Sequence, residues 1–239
     1  MKTYGQFCPV AKAAEIFAER WTPLIIRELL MGCHRFSELE MGLPHIPRSL
    51  LVQRLRSLED AGVVERKQDP NGRKPRYNLT TAGAELFSIV KGLGEWGQRW
   101  VNHDVGLEDL DPGLLMWDMR RRIHMDRLPQ QRVVVQFDFH GAREGTYWLV
   151  LEHPEPSVCL QPPGFDVDLF INTDTIAMHR LWMGKLKWAD ALRQELIEIE
   201  GPTSLVRDFP NWLALSLFSG VASALETHRP SADQVLSQS

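Results

Sequence analysis

The residues of this chain that could do covalent chemistry are scattered, while those that could recognise a polyanion are gathered. Eight histidines, among them His34, His45, His140 and His179, show no i, i+4 pairing of the kind that holds a metal on one helix face. Cys8, Cys33 and Cys159 lie far apart with no C-x-x-C pair, so neither a disulfide framework nor a zinc site is indicated. Asp166 and Asp168 alternate onto one face of a strand and imitate a carboxylate pair, but a solvated strand face explains them more simply. No G-x-x-x-x-G-K-[ST], G-x-S-x-G or H-E-x-x-H occurs. No catalytic residue, metal or cofactor is assigned, and no enzyme is expected. By contrast, Ser49, Val52, Gln53 and Arg56 cluster on one helix face with Arg48 at the start of the same helix, and Arg73, Lys74 and Arg76 follow in and just after a turn. Arginine and glutamine forks suit base edges, and cations along a turn suit a sugar-phosphate backbone or minor groove.

The elements that must position these groups run from Ile46 to Arg76. Leu51, Leu55 and Leu58 recur on the opposite face of the same helix and supply its packed side. Pro47 suits the first helical turn and Gly62 the position just past the end. Val63 and Val64 start a strand, the segment from Gln68 to Lys74 is dense in turn formers, and a second strand follows Arg76. This is a winged-helix pattern. Upstream, Pro9 to Arg20 reads as a helix with Val10, Ala13, Ala14, Phe17 and Ala18 inward; Pro23 opens a second with Leu24, Ile25, Leu29 and Leu30; Phe36 and Leu39 anchor a third that closes near Gly42. Arg54 projects nearer the packed side, where an ion pair with Glu38 or Glu59 and a phosphate contact both stay open.

Several separated motifs carry a resemblance: Cys8-Pro9-Val10, the phrase from Arg20-Trp21-Thr22-Pro23 to Leu30, Arg35-Phe36-Ser37-Glu38-Leu39, and the ladder Leu51, Arg54, Leu55, Leu58, Glu59, Gly62, Val63. Over about the first hundred residues the chain resembles the HxlR family of bacterial winged helix-turn-helix regulators. The resemblance implies a cytoplasmic regulator, by habit a repressor, that binds a palindromic double-stranded operator as a homodimer built from its first and last helices. The last helix starts at Thr80 or Thr81 and carries Leu86, Ile89, Val90, Leu93, Trp96 and Trp100; its tryptophans serve either the dimer or the junction with the second domain. It also implies two readings of Cys8, a packing residue or a thiol sensor of oxidants and electrophiles.

Charge divides the chain in the same way. Met1 to Trp100 has 15 Lys and Arg against 11 Asp and Glu, a net of +4, whereas the remaining residues have 12 against 20, a net of −8. Only the first half is suited to meet phosphates. No run of eighteen apolar residues and no charged leader is present, so no membrane partner and a cytoplasmic location are expected.

The expected organisation is α+β. Residues 1–104 form the winged helix-turn-helix and dimerisation domain, 105–113 a linker, 114–226 an α/β domain with a mainly antiparallel sheet, and 227–239 a polar tail. In the second half, Leu114 to His124 reads as a helix ending in Arg120, Arg121 and Arg122, cations that suit its C-terminal dipole. Strands are expected at Arg132–Phe139, Thr146–Glu152, Ser157–Leu160 and Asp166–Asn172, with helices at Thr175–Met183 and Trp188–Arg193, a strand at Leu196–Glu200, and a last helical stretch to about Leu225. The order from Asp166-Val167-Asp168-Leu169 through Trp188-Ala189-Asp190-Ala191-Leu192 to Leu205–Phe209 resembles the sterol carrier protein type 2 domain, which implies a hydrophobic tunnel for an apolar ligand. Trp148, Trp182, Met183, Trp188, Phe209, Trp212 and Phe218 could line it or be plain core. The alternative function is a lipid or small-molecule carrier that uses its first half for dimerisation.

Overall fold

The computed structural model describes residues 3–68, 74–101 and 106–224. Its contacts divide into two units, Met1–Leu93 and Gly94–Ser239.

In the first unit, α1 (Pro9–Phe17), α2 (Thr22–Leu30), α3 (Phe36–Gly42) and α4 (Arg48–Asp60) precede an antiparallel ribbon of β1 (Val64–Lys67) and β2 (Arg76–Leu79), then a short α5 (Thr81–Glu85). Gly62 takes φ 70° just past α4, the left-handed turn that redirects the chain into β1. Ile25, Ile26, Leu29, Leu39, Leu51, Leu55 and Leu58 are buried together with Val63 and Val64. The α4 leucines are therefore the packed side that their spacing predicted.

Helix α1 departs from the expected pattern. Val10 is 75% exposed, Ala13 and Ala18 are exposed, and the buried residue is Glu15. The Thr3 hydroxyl and the Tyr4 N–H each donate to Glu15 Oε1 at 2.8 Å, and Lys12 Nζ lies 3.2 Å away. These donors, the Thr3 hydroxyl foremost, hold the Glu15 carboxyl below its ordinary pKa and offset its desolvation. The helix also stops at Phe17, short of Arg20, because Trp21 takes the left-handed φ of 77° to start α2.

A sixth helix, α6 (Phe87–Trp100), contains the division between the units. The second unit then holds a 3-10 turn at Leu107–Asp109, α7 (Pro112–Arg120), β3 (Val133–His140), β4 (Gly145–Leu151), β5 (Ser157–Cys159), β6 (Leu169–Asp174), α8 (Thr175–Trp182), α9 (Trp188–Arg193), β7 (Ile197–Glu200) and α10 (Thr203–Asp208). The sheet order is β5-β4-β3-β6-β7; β3 and β6 run parallel and the other pairs antiparallel. Gly141, at φ 84°, turns β3 into β4. Alternate residues Val133, Val135, Phe137 and Phe139 of β3, with Leu149, Leu151, Leu169 and Ile171, pack against Met116, Met178, Leu181 and Phe209.

Four sequence expectations change here. Asp166 and Asp168 precede β6 instead of lying on it; Asp168 uses its N–H and Oδ2 to pair with the Val134 backbone, at 2.9 and 2.8 Å. The last helical stretch breaks after Asp208 into a 3-10 turn at Phe209–Asn211, because Pro210 has no N–H to continue a helix. The expected linker begins to fold before it ends: Leu110 is buried and Asp111 caps α7 through Gly113 N–H and Leu114 N–H. Arg120, Arg121 and Arg122 are held by other elements and neighbours, not by the helix dipole alone. Arg120 stacks on Trp117 at 4.1 Å and pairs with Glu155, Arg121 pairs with Asp118, and Arg122 donates to the Leu215 carbonyl.

Candidate nucleic-acid interface

Helix α4 is the element on which the first unit mounts its outward polar groups. Its buried leucines leave Arg48, Ser49, Gln53 and Arg56 exposed and Val52 half-buried. Pro47, at φ −58°, is the N-cap, so the helix starts abruptly with Arg48 at its first position. Arg48 is not loose: Nη1 pairs with Glu40 Oε1 at 3.0 Å and the guanidinium lies over the Phe36 ring at 4.9 Å. Both anchors belong to α3, so this arginine is oriented before any ligand arrives. Arg56 has no ion-pair partner among the described residues. Arg54 does have one, but with neither Glu38 nor Glu59. Its Nη2 meets Glu19 Oε2 at 2.7 Å and its Nε donates to the Arg20 carbonyl at 3.1 Å.

On the ribbon, Lys74 is exposed and Arg76 half-buried, while Arg73 lies outside the described residues. The Lys67 and Arg76 backbones face each other in register, and the Tyr77 N–H donates to the His34 carbonyl at 2.7 Å, fastening the ribbon to the segment before α3. Arg66 and Lys67 are both exposed on β1 beside the turn, and Lys67 Nζ is engaged by Glu65 Oε1 at 2.5 Å. Sequence reasoning passed over them because it confined the charge to the turn; their position next to that turn was the available signal.

The sequence that forms these helices and this ribbon has known relatives. A family model described as HxlR-like helix-turn-helix matches residues 16–105. An uncharacterized HTH-type transcriptional regulator of Bacillus subtilis (strain 168), YvaP, is 37% identical over 100 residues, covering 41% of this chain and 93% of that protein. The chain belongs to the HxlR-like helix-turn-helix family. A second relative, the uncharacterized HTH-type transcriptional regulator Rv3095 of Mycobacterium tuberculosis (strain ATCC 25618 / H37Rv), is 39% identical over 100 residues, with 41% of this chain and 61% of that protein covered. Among solved structures, the reduced form of the transcriptional regulator YodB from B. subtilis is 30% identical over 42% of this chain and all of that chain, with a TM-score of 0.37. These relatives are named as regulators, not enzymes, and the matched region contains α4 and its ribbon.

The remaining assigned residues fall in different surroundings. Cys8 is the N-cap of α1 and half-buried. In the second unit, Trp182, Met183, Phe209 and Trp212 are buried in the apolar cluster, with Trp188 and Phe218 half-buried against it. Phe209 contacts Phe137, Trp188 and Trp212 with ring centroids 5.9 to 6.1 Å apart. Trp148 does not join them. It alternates onto the other face of the sheet, where its Nε1 donates to Gln136 Oε1 at 3.1 Å. Among the described residues no three His, Cys, Asp or Glu side chains converge as metal ligands, and no helix is long and apolar enough to cross a membrane.

Proposed function

We propose that this HxlR-like chain is a homodimeric, sequence-specific DNA-binding regulator, by family habit a repressor acting in the cytoplasm. The observation that carries the reading is α4: three leucines bury one face while Arg48, Ser49, Gln53 and Arg56 stand exposed on the other. Arg48, Ser49, Val52 and Gln53 lie toward its N-terminal part, the part that enters the major groove in helix-turn-helix geometry, and Arg56 lies toward the backbone. Lys74 and Arg76, with Arg73 beyond the described residues, follow the wing into backbone or minor-groove contact. Dimerisation is supported by α6, whose Ile89, Leu93, Trp96 and Trp100 form one exposed stripe at helical spacing. A palindromic operator follows from the two-fold symmetry.

Within the second unit, a domain from about residue 114 to 226, followed by a polar tail, is proposed to take a small apolar ligand in the manner of a sterol carrier protein type 2 domain. Trp182, Met183, Phe209 and Trp212 would form its wall, and the half-buried Trp188 lies at the margin. Ligand binding would change operator affinity only through a different affinity for two arrangements of the dimer. Cys8 as a thiol sensor is the second regulatory reading, and oxidation without change in operator affinity would remove it.

The test is operator binding by Gln53→Ala and Arg56→Ala. Each variant should keep its thermal stability, since both residues are exposed. Gln53→Ala should cost about 1–3 kcal/mol at one base position, and Arg56→Ala should weaken all sequences alike while lowering the salt slope by about 1. Unchanged affinity in both variants would refute the assignment of α4.

A further inference from the structure

We infer that Arg54 is a positioning residue that sets the recognition helix through the α1–α2 elbow, an inference that rests on the DNA-binding reading above. Arg54 is the cation of α4 that turns away from the exposed face. Its side chain is only 16% exposed, and both of its contacts are with the two residues just before Trp21. One contact is an ion pair to the Glu19 carboxylate, and the other is a hydrogen bond to the Arg20 backbone carbonyl. A backbone partner fixes a position more firmly than a second side chain would, because it has no rotamers to explore.

The elbow that Arg54 holds is itself conformationally specified. Trp21 is a non-glycine residue at φ 77°, and the Arg20 guanidinium lies over its ring at 5.6 Å. A bulky residue in the left-handed region persists only where its surroundings over-determine it. The Trp21 carbonyl accepts the Ile25 N–H at 2.9 Å, so the same residue starts α2. Arg54 therefore joins α4 to the point where α1 ends and α2 begins.

Packing does less of this work on that flank. A cleft of about 490 Å³ opens there, lined by Ile16, Thr22, Gln53, Ser57 and the packed Leu58 beside the ion pair. Close-packed side chains resist rotation of a helix, and an open cleft does not. On the flank that borders the cleft, the Arg54 bridge adds to the hold that the leucines have on the rotation of α4 about its own axis. The side chains that such a rotation would displace most are Gln53, which lines the cleft next to Arg54, and its exposed neighbours.

The two roles open to a recognition-helix arginine make opposite predictions. A residue that neutralises a phosphate strengthens binding to all duplexes alike, and its removal lowers the salt slope by about 0.9 for each phosphate it served. A positioning residue leaves the slope alone when removed and lowers discrimination, because phosphate contacts adapt to a small rotation and base contacts do not.

The experiment uses the full chain and a duplex that it enriches from a random-sequence library, beside a scrambled duplex of equal length. Arg54→Met removes both contacts, and Glu19→Gln, a milder change, removes only the charge of the partner. Binding is measured well below the melting temperature of each variant and corrected for active fraction. The expected result is a loss of about five- to tenfold on the selected duplex, in the low part of the range for coupling between sites, with the scrambled duplex unaffected. The slope of log K on log salt should stay within error of the wild type, and Glu19→Gln should shift the same ratio in the same direction. A slope reduced by about 1, or equal losses on both duplexes, would make Arg54 a phosphate contact and overturn the inference alone. An unchanged ratio in both variants would reduce Arg54 to a fold contact and overturn it as well. Failure of the wild-type chain to enrich any duplex would overturn the DNA-binding reading too.

Discussion

Replacing Trp96 by alanine should separate the proposed dimer without unfolding the chain. Trp96 is 59% exposed in α6, beside Leu93 at 48% and Trp100 at 46%. A tryptophan side chain offers up to about 250 Å², so roughly 150 Å² of Trp96 is left for a partner to cover. At about 25 cal/mol per Å², and allowing for the methyl that alanine keeps, coverage contributes about 3 kcal/mol per copy. An isologous interface uses each residue twice, giving an upper limit of about 6 kcal/mol. Imperfect coverage and ordering of the side chains reduce this by about half, so the dimer Kd should rise at least about a hundredfold. Sedimentation equilibrium over a concentration series measures it, and a thermal melt guards against global unfolding, with a fall of no more than a few degrees expected for an exposed site. A Kd within threefold of the wild type, or a wild-type chain that is monomeric at every concentration, would refute the assignment of the α6 stripe.

Two further outcomes follow from single side chains. The Thr80 hydroxyl accepts the Gly83 N–H at 3.2 Å and donates to the Gly62 carbonyl at 2.7 Å, tying the start of α5 to the turn after α4. Thr80→Ala should cost about 1–2 kcal/mol, read as a lower urea midpoint, with Thr80→Ser close to wild type; equal midpoints for all three proteins would count against the cap. His179 is held below its ordinary value of 6.5, first by burial and then by Lys185. The unfolded chain therefore takes up this proton before the native chain does. Its effect on stability is nil above about pH 6.5 and grows as a penalty while the pH falls toward the folded-state value. Urea midpoints should decline across that window in the wild type and less steeply in His179→Gln; parallel profiles would exclude His179 as the cause.

Much of the fold was legible because local signals agreed. In α4 the leucine spacing, the leading proline and the closing glycine point to the same helix, and the buried set contains all three leucines. In the second unit the alternation of Val133 to Phe139 and the turn at Gly141 sufficed for the β3–β4 hairpin. Some failures occurred where the deciding partner is remote in sequence, and others where local alternation or a neighbouring carboxylate was not weighed. Nothing local to α1 announces that Thr3 and Tyr4 will draw Glu15 inward while Val10 stays exposed. Trp148 looked interchangeable with the other aromatics until strand parity placed it on the opposite face. Arg120 to Arg122 read as one charge run, yet each takes a different partner.

The same distinction governs the interface. Arg48, Arg54 and Arg56 lie on one helix and are indistinguishable by composition, but each starts from a different state. Arg54 is committed to Glu19 and the Arg20 carbonyl, Arg48 is oriented by Glu40 and Phe36, and Arg56 has no ion-pair partner among the described residues. A cation already paired with a carboxylate brings less unneutralised charge to a phosphate, so its contribution to counterion release is smaller. A preoriented guanidinium loses less rotamer freedom on meeting a base edge, which favours readout over raw affinity. On the proposed DNA-binding reading, Arg48 is thus suited to discrimination and Arg56 to salt-dependent affinity, while Arg54 is proposed to set the angle at which both arrive. The count of basic residues on a recognition helix overstates its phosphate contacts by the number that the fold has already engaged, and here that number is read from Glu19 and Glu40, the carboxylates that hold Arg54 and Arg48.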